Sequence, residues 1–277
     1  MKIGVTSLGM NGLSLAKAVE KMVRFGAECT ELNGRPGVHP GLTWESEADE
    51  AMVRKLLADA GIVATSLGGY CDFARTDDQA LEEQIEGFVG YCRRAARLGI
   101  PVVRAFAGDV KEGYTLAYFE ARIIEAFSEL MQRIAAVDVK VAIENHGQLA
   151  NDGPFLHRLI ETVASPKLGM TIDTGNFYHV GHPPERVEMF FELLAPYTWN
   201  VHIKDVIYRD GRAVFVPAGR GIVSLPRLYA LLERHGYTGG VVSEYEGLDF
   251  PYGEGTLESV AYLRGLRDGR QGDRVTG

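Results

Sequence analysis

The chain has 277 residues, 46% of them hydrophobic and 24% charged, with a formal net charge of −8, a globular composition with enough chain to bury a full core. The negative balance comes with no basic stripe, which argues against nucleic acid as a partner. No window approaches the roughly 18 consecutive apolar residues of a membrane span, and Cys29, Cys71 and Cys92, with no Cys-x-x-Cys pair, argue for a reducing compartment and against a disulfide scaffold.

The opening Met1-Lys2-Ile3-Gly4-Val5-Thr6 reads directly into a strand and lacks the apolar stretch of a signal peptide, so the expected location is the cytoplasm. From there short β-branched runs alternate with longer stretches at helical spacing. In chain order the pattern predicts a strand over 2–7 and a helix near 13–26, then 28–33 and 46–60, then 62–68 and 77–98. It continues with 102–107 and 114–136, 140–146 and 152–164, 168–175 and 185–195, 200–205 and 224–235, and finally 240–245 and 256–267. In the third helix Leu81, Ile85, Phe88, Val89 and Cys92 share one face. Thr76 is placed to cap it with Gln79 as the capping-box partner, and Gly99 closes it. Residues 268–277 are polar, glycine-rich and aperiodic, and are expected to be a disordered tail.

Eight βα units of about 35 residues each suit an α/β fold of the (β/α)8 barrel type, a TIM barrel spanning residues 1–267 as one domain. The alternative is a doubly wound open sheet, which the first turn, Ser7-Leu8-Gly9-Met10-Asn11-Gly12, does not favour because it lacks the full G-x-G-x-x-G fingerprint.

In a barrel the chemistry sits at the C-terminal strand ends. Four successive strand ends carry metal-competent groups: Glu144 with Asn145 and His146, then Asp173, His202 and Glu244, each about one βα unit from the last. A charged group closing a buried strand costs several kcal/mol unless it is paired or binds a metal. Singly, each reads as a salt-bridge partner; together they form one ligand set of three carboxylates and an imidazole. That set suits one divalent ion, Mn²⁺, Mg²⁺, Co²⁺ or Zn²⁺. Two open positions on such an ion fit two adjacent oxygens of a polyol or ketose, and the metal would stabilise an enediolate. Glu144 and Glu244, from strands five and eight, would flank the substrate as acid and base, the arrangement of an epimerase.

The series Ile143-Glu144-Asn145-His146, Ile172-Asp173-Thr174-Gly175-Asn176, Val201-His202-Ile203-Lys204-Asp205 and Ser243-Glu244, with Val216–Ser224 and Gly236-Tyr237-Thr238-Gly239 between the last two strands, resembles the xylose-isomerase-like TIM-barrel superfamily of sugar phosphate isomerases and epimerases. Ketose 3-epimerases, hydroxypyruvate isomerase, inosose dehydratase, dehydroshikimate dehydratase and endonuclease IV are among its members. The resemblance spans the barrel, with specific motifs in its second half. It implies Glu144, Asp173, His202 and Glu244 as metal ligands, with Glu144 and Glu244 as the acid/base carboxylates. It also implies a small sugar or keto-polyol as substrate. Where ketose 3-epimerases carry a substrate-binding His three residues after the Asp, this chain has Asn176, which can hydrogen-bond a hydroxyl but carries no proton. Arg209 stands near the place of a substrate-binding Arg.

Other strand-end residues have two readings each. Arg104 would hold a substrate hydroxyl or phosphate, or form an internal ion pair. His146 would reach substrate or orient a ligand carboxylate. Lys204 would polarise a substrate oxygen or neutralise the carboxylates. Gly68-Gly69-Tyr70 and Phe106 would shape the pocket wall. The expected activity is a metal-dependent isomerase or epimerase of carbohydrate metabolism. The alternative is a dehydratase, in which the same proton abstraction is followed by loss of a β-hydroxyl. An endonuclease IV-like nuclease needs further His and Asp ligands that these strand ends lack, and the charge opposes it. Pairing of the outer helices into a homo-oligomer is an open expectation.

Overall fold

The computed structural model describes residues 1–247 and 253–275. Eight parallel strands close into a barrel: β1 (Lys2–Thr6), β2 (Cys29–Asn33), β3 (Val63–Gly68), β4 (Val102–Ala105), β5 (Lys140–Glu144), β6 (Leu168–Asp173), β7 (Thr198–Ile203) and β10 (Gly240–Ser243). Each pairs with its sequence neighbours, and β10 closes the ring between β7 and β1, with Val242 opposite His202 and Val241 opposite Ile3. Closure excludes the doubly wound alternative and leaves the barrel no unpaired edge.

The helices pack outside the strands in the predicted places: α1 (Leu15–Arg24), α2 (Glu47–Ala60), α3 (Asp78–Leu98), α4 (Leu116–Arg133), α6 (Gly153–Val163), α8 (Pro184–Leu194), α9 (Leu225–Arg234) and α10 (Glu254–Val275). Two single-turn helices, α5 (Gly147–Ala150) and α7 (Asn176–His179), follow β5 and β6. The starts are set by side-chain caps, Ser46 accepting from the Asp49 N–H, Thr115 from Tyr118 and Asp152 from Phe155. For α3 the capping residue is Asp77, whose carboxylate accepts from the Ala80 N–H at 2.8 Å, and not Thr76. A carboxylate one residue on outcompetes the hydroxyl because its charge also meets the helix dipole. The expected tail is also corrected over most of its length: α10 runs through to Val275. A helix already nucleated and docked through Val260 and Leu263 propagates into a polar stretch that would not start one. Residues 276–277 lie outside the described residues.

Between β7 and β10 the chain inserts an antiparallel hairpin, β8 (Asp205–Arg209) with β9 (Arg212–Val216), where the sequence suggested only a loop. Its two-residue turn, Asp210-Gly211, has positive φ at both positions, 49° and 75°, the conformation for which Asp-Gly is preferred. Phe215 on β9 stacks on His179 with ring centroids 5.8 Å apart, so the hairpin lies along the barrel mouth beside α7.

Candidate functional site

The barrel brings the four predicted ligands together. Glu144 ends β5, Asp173 ends β6 beside His202 on β7, and Glu244 follows β10, its N–H still bonded to the Ile203 carbonyl at 3.0 Å. One ligand atom from each of the four lies within 4.8 Å of all the others, and no residue of the set is more than 5% exposed. Local structure aims the atoms. Asp173 Oδ1 accepts from the Gly175 and Asn176 N–H groups, both at 2.9 Å, which leaves Oδ2 turned to the cluster. Asn145 clasps the Asp173 backbone on both sides, donating to its carbonyl and accepting from its N–H. His202 Nε2 meets Glu31 Oε2 at 2.9 Å, so Nδ1 faces Glu244 at 3.2 Å and Glu144 at 3.8 Å.

These residues fit a divalent cation on two independent grounds. Asp173 Oδ2 and His202 Nδ1 are fully buried and make no hydrogen bond of good geometry among the described residues; each has only an ion-pair neighbour, Lys204 Nζ at 3.1 Å and Glu244 Oε2 at 3.2 Å, which leaves both atoms able to ligate a cation. The charges also fail to balance. With every carboxylate ionised, four buried ones, Glu31, Glu144, Asp173 and Glu244, face two permanent cations, Arg104 and Lys204, and Lys204 is shared with Glu246, an excess of negative charge that a divalent ion would offset. Without an ion, protons offset that excess. Burial pushes Glu144 up to about 8, although Arg104 beside it pulls the other way. Burial lowers His202, but Glu31 and Glu244 more than reverse this and hold it well above its ordinary value. Burial also raises Glu244, and Lys204 and His202 outweigh it to keep that carboxyl well below the usual range.

Glu31 is the residue the sequence reading missed. It reaches from β2 across the barrel interior, where it accepts from Ser66 Oγ and Asn200 Nδ2, both at 2.8 Å, and pairs with Arg104 at 3.3 Å. These partners hold its carboxyl down near 2 against the effect of burial, His202 and Arg104 contributing most. The register between β2 and β3 shifts by one residue here, Thr30 standing opposite Ala64 and Glu31 opposite Ser66, which sets the Ser66 hydroxyl against the Glu31 carboxylate. The signal was present in the sequence, since Glu31 is a charge inside a strand that wants burial, as Glu144 is.

Of the residues expected to touch substrate, Arg104 and Lys204 act first as counter-charges. Arg104 bridges Glu31 and Glu144, the latter at 3.2 Å. Lys204 Nζ lies 3.1 Å from Asp173, 2.9 Å from Glu244 and 3.2 Å from Glu246. Asn176 donates to Glu144 Oε1 at 3.2 Å and to the Asn145 carbonyl at 3.0 Å, so it steadies a ligand carboxylate. Arg209 is exposed at the outer end of β8, opposite Arg212 at the hairpin turn, and is not among the residues that line the cavity. His146 follows Glu144 at the end of β5. It is exposed at the barrel mouth, packed on Phe106 with ring centroids 4.6 Å apart, and lines a cavity of about 520 Å³ with Glu144, Lys204, Glu244, Tyr70 and Phe106. Burial lowers its pKa, with Lys204 adding to the effect.

Among the described residues no helix is long and apolar enough to cross a membrane. No curated protein matches the chain. Solved structures with the same fold include a D-tagatose 3-epimerase-like protein, at 19% identity and a TM-score of 0.79 over 97% of both chains. A xylose isomerase-like TIM-barrel protein from Mycobacterium smegmatis, in complex with magnesium, matches at 17% identity and a TM-score of 0.78 over 96% of both chains. An IOLI protein with a bound zinc atom matches at 18% and 0.76, again over 96% of both. Residues 19–266 match the sequence model of a family described as xylose isomerase-like TIM barrel. With that match covering most of its length, the chain belongs to the xylose isomerase-like TIM-barrel family.

Proposed function

We propose that the protein is a divalent-metal-dependent isomerase or epimerase of a sugar, sugar phosphate or keto-polyol, with Glu144 and Glu244 as its acid/base pair. The observation that carries this reading is the cluster itself: four converging buried ligand atoms opening onto a cavity that the same two glutamates line. Glu144, Asp173, His202 and Glu244 would hold the ion, which when bound supplies Lewis-acid stabilisation of negative charge on substrate oxygens. The chain's own residues do the rest. One glutamate takes the proton from the carbon beside the substrate carbonyl, and the other returns a proton to the opposite face or to the neighbouring carbon. Arg104 and Lys204 hold the two carboxylates in place through their ion pairs. Asn176 fixes Glu144 Oε1, and Tyr70 and Phe106 wall the cavity against water. The superfamily membership and the epimerase-like, magnesium-bound and zinc-bound neighbours support the metal and the reaction class.

His146 favours one second reading, a dehydratase. It stands at the cavity wall against Phe106 with no hydrogen-bond partner of its own among the described residues, where its imidazolium form would hand a proton to a departing hydroxyl and leave the neutral ring behind. The test is proton exchange in D₂O. Metal-loaded protein incubated with a ketose panel should wash solvent deuterium into the carbon beside the carbonyl, read by NMR. Glu144→Gln and Glu244→Gln should each abolish the exchange while circular dichroism shows a folded barrel. Near-normal exchange in either variant would refute the two-base mechanism, and loss of a water molecule from the product would select the dehydratase.

A further inference from the structure

Three permanent cations line the cavity that opens onto the carboxylate cluster: Arg35, Arg104 and Lys204. Two are already committed. Arg104 is paired with Glu31 and Glu144, and Lys204 with Asp173, Glu244 and Glu246. Among the described residues Arg35 has no such partner. The other lining carboxylates are Asp72, taken by Lys111 at 2.9 Å and Arg75 at 3.5 Å, and Asp109, which makes no ion pair with Arg35 among the described residues. An arginine left free at a cavity mouth means little if its side chain is loose, but this one is held.

The guanidinium carbon sits 4.0 Å from the centroid of the Tyr70 ring. Tyr70 is fixed in turn, its hydroxyl accepting from Asn33 Nδ2 at 2.9 Å, while Asn33 Oδ1 accepts from the Arg35 backbone N–H at 3.0 Å. The preceding residue is pinned as well. The Gly34 N–H donates to the Gly68 carbonyl at 3.0 Å, and its own carbonyl accepts from Arg94 Nη1 at 3.2 Å. A side chain at Gly34 would place its Cβ 2.8 Å from the Gly68 oxygen and 2.9 Å from the Tyr91 ring, so close approach of the backbone demands glycine there. Stacking satisfies the flat face of a guanidinium and leaves its N–H edge free, and that edge matches the two oxygens of a carboxylate or phosphate. Little conformational entropy remains to be lost on binding, because the side chain is already placed.

We propose that Arg35 is a specificity-determining residue that binds an anionic group, a carboxylate or a phosphate, carried by the substrate away from its reacting carbons. The proposal rests on the isomerase or epimerase reading and narrows its substrate class to acidic or phosphorylated ketoses. A charge-assisted hydrogen bond of this kind is worth roughly tenfold to a hundredfold in affinity.

The test uses the full-length, Mn²⁺-loaded protein and three probes of one carbon skeleton: D-fructose, D-fructuronate and D-fructose 6-phosphate. Binding is measured by calorimetry for the parent, Arg35→Met and Arg35→Lys, with deuterium exchange into each probe as a second readout. In the parent at least one of the two anions should bind roughly tenfold tighter than D-fructose or better, and the stronger of the two identifies the group. Arg35→Met, which keeps the stem over Tyr70, should remove that preference, and Arg35→Lys should restore part of it. Equal binding of all three probes, binding of neither anion at millimolar concentration, or a preference surviving in Arg35→Met would overturn the proposal. Its failure is distinct from failure of the isomerase reading. Arg35-dependent anion binding without exchange into any probe would refute the reaction, whereas exchange with an Arg35-independent preference would refute only the role of Arg35.

Discussion

Replacing Lys204 with methionine separates the two jobs that the buried charges perform. Lys204 is 4% exposed and lies within 2.9–3.2 Å of Asp173, Glu244 and Glu246. At 3 Å and an effective dielectric near 20 each contact is worth about 5 kcal/mol of gross attraction, most of it offset by the cost of burying the ammonium. Removing one partner of a buried pair leaves the others uncompensated, which typically costs about 3–5 kcal/mol. For a chain of this size that is a fall of roughly 5–15 °C in the melting temperature of the metal-free protein. Methionine is of similar length, so little of the loss is packing. The cluster then has one cation fewer to set against its carboxylates, and a divalent cation recovers more of the deficit. Saturating Mn²⁺ should therefore raise the melting temperature of Lys204→Met by more than it raises that of the parent. Calorimetric melts of both proteins, after chelator treatment and again with added Mn²⁺, check this directly. A metal-free variant as stable as the parent, or an equal metal-induced shift in the two, would refute the charge balance on which the metal assignment stands.

Glu31→Gln keeps the shape of the side chain that holds His202 Nε2 but removes its charge, so metal affinity should fall by about 10–100-fold with the fold retained; unchanged affinity by competition with a chelating dye would show that Glu31 only fills the barrel. Asp77→Ala should cost about 1 kcal/mol in denaturant unfolding, while Thr76→Ala should be near neutral; the reverse order would return the cap to Thr76. Cys29, Cys71 and Cys92 are buried thiols pushed up to about 12 by burial, so a thiol reagent at pH 8 should label none in the folded protein and all three in denaturant. The unfolded thiols ionise near pH 8.5 while the folded ones stay protonated, so this contribution to stability falls as pH rises from about 8.5 toward 12, and unfolding titrations that showed a rise over that range would contradict the burial.

Much of the site is legible in the sequence because its signal is local. A carboxylate or imidazole closing a strand that is otherwise apolar is visible in five or six residues, and Glu144, Asp173, His202 and Glu244 each announce themselves that way. The βα alternation is local too, set by side-chain periodicity and by turn and cap residues, so the order and type of the main elements follow from the chain alone. Closure of the ring decided the rest. Glu31 lies 171 residues from His202 in sequence, and only a closed barrel carries a β2 side chain across the interior to β7. The same closure turned Arg104 and Lys204 from candidate substrate ligands into counter-charges, since an ion pair depends on what stands opposite and not on what stands beside it in the chain. It left Arg35 without a carboxylate, although nothing in its neighbourhood of sequence marks it out. Arg209 stands at the outer end of a hairpin whose Asp210-Gly211 turn was legible but unread. The sequence determined which groups the strands deliver to the barrel mouth; the tertiary structure alone decided which of them meet, because electrostatic partnership is fixed by distances across the barrel that no local pattern encodes.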